Sequence, residues 1–181
     1  MAVKIALLRG INVGSHNRIA MAELRELLGS LGYSDARTLV QSGNIVLTAE
    51  VSSEELALEL EREIAGRFGV RTPVIVRTRE ELAGVVALDP LGDVAKEHKL
   101  YQVSFLSAEP DLAAIEEIQA IDFAPERFVC SGREIYAWHP QGIHSSLLAR
   151  RLSDKRLGVT VTARNWKTTT KLLEMAEELE A

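Results

Sequence analysis

Apolar residues are spaced along this chain in two distinct ways, short runs and helical stripes, and the spacing predicts its elements. Residues 3–8 (Val3, Lys4, Ile5, Ala6, Leu7, Leu8) form an apolar run of strand length, and Gly10 and Gly14 break it into a loop. From Met21, apolar positions fall at Met21, Leu24, Leu27, Leu28 and Leu31, one stripe of a helix that Gly32 is placed to stop. Residues 37–41 and 44–48 are β-rich runs flanking Ser42-Gly43, the pattern of a hairpin. Ser52 and Glu55 have the spacing of a capping box, and Leu56, Leu60, Ile64 and Phe68 then recur every fourth residue as a second helix. Residues 73–77 follow as a strand, with Pro73 tolerated at its start. The order βαββαβ is the ferredoxin-like motif.

Thr78 and Glu81 repeat the capping pattern ahead of Leu82, Val85 and Val86, and Asp89-Pro90 ends that helix. The order then starts again. Residues 100–106 read as a strand, Leu112, Ile115 and Ile118 as a helix, and residues 127–130 and 135–138 as strands flanking Ser131-Gly132. Val129-Cys130-Ser131-Gly132 echoes Val40-Gln41-Ser42-Gly43, which suggests a duplicated topology. A helix through Leu147, Leu148 and Leu152, a short strand over 159–161 and a long helix from about Trp166 complete the chain. The expected class is α+β, with two ferredoxin-like units packed together plus an extra C-terminal helix. Residues 1–78 form the first unit, 79–98 a connecting helix and loop, and 99–181 the second unit with the last helix.

Composition agrees with a globular chain: 181 residues, 46% hydrophobic, 26% charged and a net charge of −5. A chain of this length buries roughly 70% of its unfolded surface, so folding requires neither metal nor disulfide. The single cysteine, Cys130, excludes an intramolecular disulfide and points to a reducing, cytoplasmic setting. It is expected to be an inert strand residue. The first apolar run stops at Arg9, too short for a signal segment or a membrane span, and no membrane partner is expected. His16, His98, His139 and His144 show no metal-ligand spacing; the His139 and His144 pair encloses Pro140 and Gly142 and reads as a turn. The loop from Gly10 to Gly14 lacks the Gly-Lys-Ser/Thr of a nucleotide phosphate loop. Neither a metal nor a cofactor is expected, and no motif names a reaction.

Topology nevertheless brings polar residues together. In a βαββαβ unit the first two strands run toward the same sheet end, and the third strand, lying beside the first, starts there. Arg9, Gly10, Asn12 and Gly14 are therefore expected beside Gln41, Ser42 and Asn44. Glycines there allow backbone N–H groups to approach an anion. The same residues also fit plain turn chemistry, with Asn12 and Asn44 satisfying backbone groups and Arg9 a solvated strand end. A second basic feature lies at residues 150–171, where Arg150, Arg151, Lys155, Arg156, Arg164, Lys167 and Lys171 face one acid, Asp154, for about +6. With Asn165 as N-cap, the start of the last helix sets Arg164, Asn165, Trp166, Lys167 and Thr168 around free first-turn N–H groups, a fit for phosphate or carboxylate. The competing arrangement pairs these cations with Glu54, Glu55, Glu59, Glu61 and Glu63, or with Glu174, Glu177, Glu178 and Glu180. Trp166 is expected in the core rather than as a stacking platform.

The stretch from Ala6 to Gly14, Met21-Ala22-Glu23-Leu24-Arg25, Gln41-Ser42-Gly43-Asn44 and Thr162-Ala163-Arg164-Asn165-Trp166-Lys167-Thr168 together closely resemble a bacterial family of unknown function, DUF1697. The resemblance spans nearly the whole chain and implies the ferredoxin-like fold for both halves; it implies no activity. One position departs: the family tends to carry Ser-Lys-Leu after a glycine-rich turn, and Leu147 stands where that lysine would be. The leading expectation is a bacterial cytoplasmic protein that binds a phosphorylated or otherwise anionic small molecule where the Arg9 loop and the last helix start share one rim. Nucleic-acid binding through residues 150–171 is disfavoured, because the third strand has no aromatic residue and the chain is acidic overall. A non-catalytic interaction protein is the third class.

Overall fold

Strand β1 (Ala2–Leu8) is the centre of the first of two units in the computed structural model, which describes residues 1–181. That unit comprises Met1–Val86 together with Thr170–Ala181, and the second comprises Ala87–Thr169. After β1 come α1 (Met21–Ser30), β2 (Arg37–Leu39), β3 (Asn44–Ala49), α2 (Ser53–Phe68), β4 (Val74–Thr78) and α3 (Arg79–Leu88). The strands form one antiparallel sheet in the order β2-β3-β1-β4, with Leu7 opposite Asn44 and Leu8 opposite Val74. Ala6, Leu8, Ile45, Leu47, Val74 and Val76 pack against Leu24 and Leu28 of α1 and Leu56, Leu60 and Ile64 of α2. The other face of the sheet, with Ile5, Leu7, Val46 and Ile75, is buried as well. Burial of both faces explains why β1 reads as a continuous apolar run rather than an alternation.

The helix signals are physical ones. Ser52 Oγ accepts from Glu55 N–H (3.1 Å) while Glu55 accepts from Ser52 N–H (2.9 Å), so two donors at the start of α2 are satisfied reciprocally. Gly69, at φ 66°, closes the other end in the left-handed conformation. Thr78 and Glu81 form the same reciprocal pair at α3, at 3.1 and 2.8 Å.

The second unit contains β5 (Tyr101–Leu106), α4 (Leu112–Gln119), β6 (Arg127–Ser131), β7 (Glu134–Trp138), α5 (Leu147–Arg151), α6 (Asp154–Leu157), β8 (Val161–Asn165) and the first turn of α7 (Trp166–Glu180). Its antiparallel sheet runs β6-β7-β5-β8, the order of the first sheet repeated. Leu106, Ile115, Ile118, Ile135, Leu148 and Leu157 are among its core residues. The protein is thus mixed α+β, with two four-stranded antiparallel sheets and seven helices. Two details differ from the sequence expectation. The four-residue α6 has too few positions to show a stripe. Strand β8 lies at Val161–Asn165, not at 159–161, pairing from Leu106 opposite Val161 to Gln102 opposite Asn165. Thr162 and Arg164 are buried on one face and Val161 on the other, while the small Ala163 is exposed, so polar residues at buried positions conceal the strand. No helix is long and apolar enough to cross a membrane.

Candidate functional site

At the end of β1 the backbone is held from both sides. Leu8 N–H donates to Gly43 O (2.8 Å) and Arg9 N–H to Pro73 O (3.0 Å) and Thr72 Oγ1 (3.1 Å), while the Thr72 hydroxyl donates back to Arg9 O (2.6 Å). The Gly10–Gly14 loop and the Gln41–Asn44 turn do meet, as topology required. Asn12, at φ 53°, donates from Nδ2 to Ile19 O (2.9 Å) and Gln41 O (2.7 Å) and accepts Ile19 N–H on Oδ1 (2.9 Å). Asn44 is fully buried and donates to Leu39 O and Ser42 Oγ, both at 2.9 Å. Gly43, at φ 78°, allows the close approach: a Cβ there would sit 2.7 Å from Leu8 Cβ and from Ile11 Cδ1. Asn12 thus bridges the loop to the turn and Asn44 braces the turn from within, the hydrogen bonding that turn chemistry calls for. Of the residues expected at this rim, Arg9, Gly10, Gly14 and Gln41 are exposed to solvent, and Ser42 is half-buried.

Beside the joint opens a groove of about 670 Å³ between α2 and the segment leading into β4. One wall is a stripe of α2 at helical spacing, Leu58, Glu61, Arg62 and Ala65; the other is Arg71, Thr72 and Pro73. Thr72 thus lines the groove and clamps Arg9. Glu61 Oε1 accepts Val74 N–H (2.8 Å), fixing the start of β4 to α2. Arg62 pairs with its neighbour Glu63 at 3.0 Å in an exposed pair. Arg71 is exposed and makes neither a side-chain hydrogen bond nor an ion pair. Sequence reasoning passed over this groove because its residues come from a helix face and a loop that show no motif. The exposed Leu58 beside an otherwise amphipathic stripe was the only local signal.

The residues expected around the last helix start belong to the second unit. Asn165 Oδ1 accepts Thr168 N–H (2.8 Å), so Asn165 caps α7. Trp166 is buried and stacks on Tyr101 with ring centroids 4.8 Å apart. Arg164 is 8% exposed, donates to Thr162 Oγ1 and Ala163 O at 2.9 Å, and is pushed down to about 10 by desolvation. Lys167 is exposed and Thr168 half-buried. The basic run is thereby divided: Arg164 is internal, and Lys171 pairs with Glu174 at 2.7 Å, which raises its pKa. Arg151 and Arg156 line a small cavity of about 160 Å³ with Glu117 and Ile118.

One polar cluster has no counterpart in the sequence reading. Glu126 Oε2 lies 2.5 Å from His139 Nδ1 and accepts the Ser146 hydroxyl at 2.5 Å, while Ser146 Oγ lies 3.0 Å from the same Nδ1. His139 and Ser146 are buried. Serine, histidine and glutamate suggest a hydrolase, but in a nucleophilic triad the hydroxyl and the carboxylate engage opposite ring nitrogens. Here both meet Nδ1, and Ser146 Oγ also accepts Ala149 N–H (2.8 Å) as the N-cap of α5. The cluster ties the ends of β7 and α5 to the segment before β6. Cys130 is half-buried, and burial pushes its thiol up, away from the reactive thiolate.

The fold and these sites define an α+β protein with a repeated four-stranded sheet and an open groove on its first unit. The profile of the family described as "Protein of unknown function (DUF1697)" matches residues 1–136, and the chain belongs to that family. Among solved structures it is similar to a conserved bacterial protein from Streptococcus pneumoniae, with 23% identity and a TM-score of 0.77 over 97% of this chain and 98% of that one. No curated protein matches the chain.

Proposed function

We propose that the protein binds a small anionic molecule on its first unit, at the groove beside the Arg9 loop, and that each unit is a ferredoxin-like βαββαβ. The second part is supported by the strand orders β2-β3-β1-β4 and β6-β7-β5-β8, all antiparallel, each with helices between its first and second and its third and fourth strands. The first part is carried by Arg71. Arg71 lines the groove and has no internal acid partner, one residue from the Thr72 that clamps Arg9. Arginine presents a planar fork that matches carboxylate and phosphate. A clamped backbone loses little freedom when a ligand binds. A cytoplasmic setting belongs to the same reading, supported by a single cysteine with a raised thiol pKa.

Thermal unfolding with phosphate, sulfate and acetate tests this. A ligand at about 100 times its Kd adds about 2.7 kcal/mol, a readily measured shift. Arg71→Gln is expected to remove the shift with the unliganded melting temperature unchanged, and Arg9→Gln to reduce the shift. Should the parent protein melt at the same temperature in all three anions at equal ionic strength, the proposal fails.

A further inference from the structure

We infer that the ligand of the α2 groove is an amphiphilic monoanion, a free carboxylate with an unbranched apolar body, its head on Arg71 and its body along Leu58, Ala65 and Pro73. This rests on the reading of the groove as an anion site and specifies the ligand's chemistry. Four observations point to it. The volume, about 670 Å³, is that of a site for a whole small molecule rather than for a bare ion. The walls between the polar groups are apolar: Leu58 and Ala65 lie two turns apart on one face of α2, and Pro73 belongs to the opposite wall. Leu58 is 66% exposed although the core stripe of the same helix, Leu56, Leu60 and Ile64, is fully buried. It is thus an apolar side chain that the fold itself does not cover, set beside the groove.

Charge selects a single anionic head. Of the three charged residues in the lining, Glu61 is engaged by Val74 N–H and Arg62 by Glu63, which leaves Arg71 as the one cation without an internal partner. One guanidinium takes one carboxylate in a bidentate pair. A dianion would leave excess charge facing the Glu61 carboxylate, and an ammonium head would face Arg71. The groove is open along one side, so a linear body can lie in it with one edge in water.

The test is calorimetric titration of the full chain with acetate, butanoate, hexanoate and octanoate, with hexan-1-ol and inorganic phosphate as comparisons. Affinity is expected to tighten by about threefold per added methylene, since burying each one is favourable in proportion to its area. Hexan-1-ol is expected to bind at least about tenfold more weakly than hexanoate, as the charge-assisted head is missing. Arg71→Gln should weaken every carboxylate by about tenfold. Leu58→Ser, at a largely exposed position outside the core stripe of α2, should flatten the chain-length dependence and change acetate binding little. Equal affinity across the series, with acetate and phosphate binding that still requires Arg71, would overturn the amphiphile and leave the anion site standing. A chain-length dependence indifferent to Arg71→Gln would overturn the placement of the head, and absence of binding by every anion would remove both.

Discussion

A carboxamide offers two donors and two acceptor sites, and Asn12 uses both kinds at once on the main chain of Ile19 and Gln41. Its positive φ is tolerable because asparagine is among the few residues at home in the left-handed region. Removing that side chain strands an N–H and two carbonyls, of which Ile19's are buried with the residue. Each such group costs about 1–3 kcal/mol when left unmet and dry, less where water reaches it. Asn12→Ala is therefore expected to lower unfolding free energy by about 2–3 kcal/mol in urea titration without altering the m-value; a loss below about 0.5 kcal/mol would show that water replaces the amide. At this scale the sequence exposes the inventory but not the pairing. Gly43 between two β-rich runs announces a turn, whereas nothing in the residue types tells whether the amides of Asn12 and Asn44 face a ligand or a carbonyl. The answer depends on Gly43 letting Leu8 and Ile11 approach, a three-dimensional coincidence.

Elements were legible where their own chemistry marks them. The stripes of α1 and α2 and the reciprocal caps at Ser52 and Thr78 are local, so spacing alone reveals them. Strand β8 was hidden because the polar Thr162 and Arg164 occupy buried positions, a choice made by packing rather than by β propensity. Between elements, Tyr33, just after α1, donates its hydroxyl to Glu59 of α2 at 2.5 Å. Desolvation by burial, followed by the Glu59 hydrogen bond and charge, pushes that phenol up to about 12 from 10.0. A folded pKa above the unfolded one means the native state holds the proton more tightly, so the contribution is full below pH 10 and drains away as pH rises toward 12. The difference in stability between the parent and Tyr33→Phe is thus expected to hold constant at neutral pH and to decline from about pH 10 upward. Denaturant titrations at a series of alkaline pH values measure it, and a difference unchanged up to pH 12 would show that folding does not raise the Tyr33 pKa.

The repeated strand order of the two sheets was foreshadowed by the echo around Ser42-Gly43 and Ser131-Gly132, because a hairpin turn is a local feature that recurs wherever the topology does. The membership of the first unit is not local. Thr170–Ala181 belongs with Met1–Val86, and no periodicity within a helix records which distant strands it accompanies. Its links are visible only in three dimensions: Glu178 pairs with Arg37 at 3.3 Å and Glu180 with Arg79 at 2.6 Å. Both pairs involve substantially exposed carboxylates and contribute little, about 0–1 kcal/mol each. The apolar side of α7 matters more, since Leu172 and Ala176 are fully buried and Met175 nearly so. Truncating a buried leucine costs about 2–5 kcal/mol, depending on how far the cavity collapses. If the C-terminal segment is an integral part of the first unit, Leu172→Ala must lower amide protection in β1 and β3, whereas Glu178→Gln must leave it nearly unchanged. Native-state hydrogen exchange resolved by residue separates the two. Full protection of β1 in the Leu172→Ala protein would mean that the strands are stable without the packing of α7 and that the helix tail is a passive appendage.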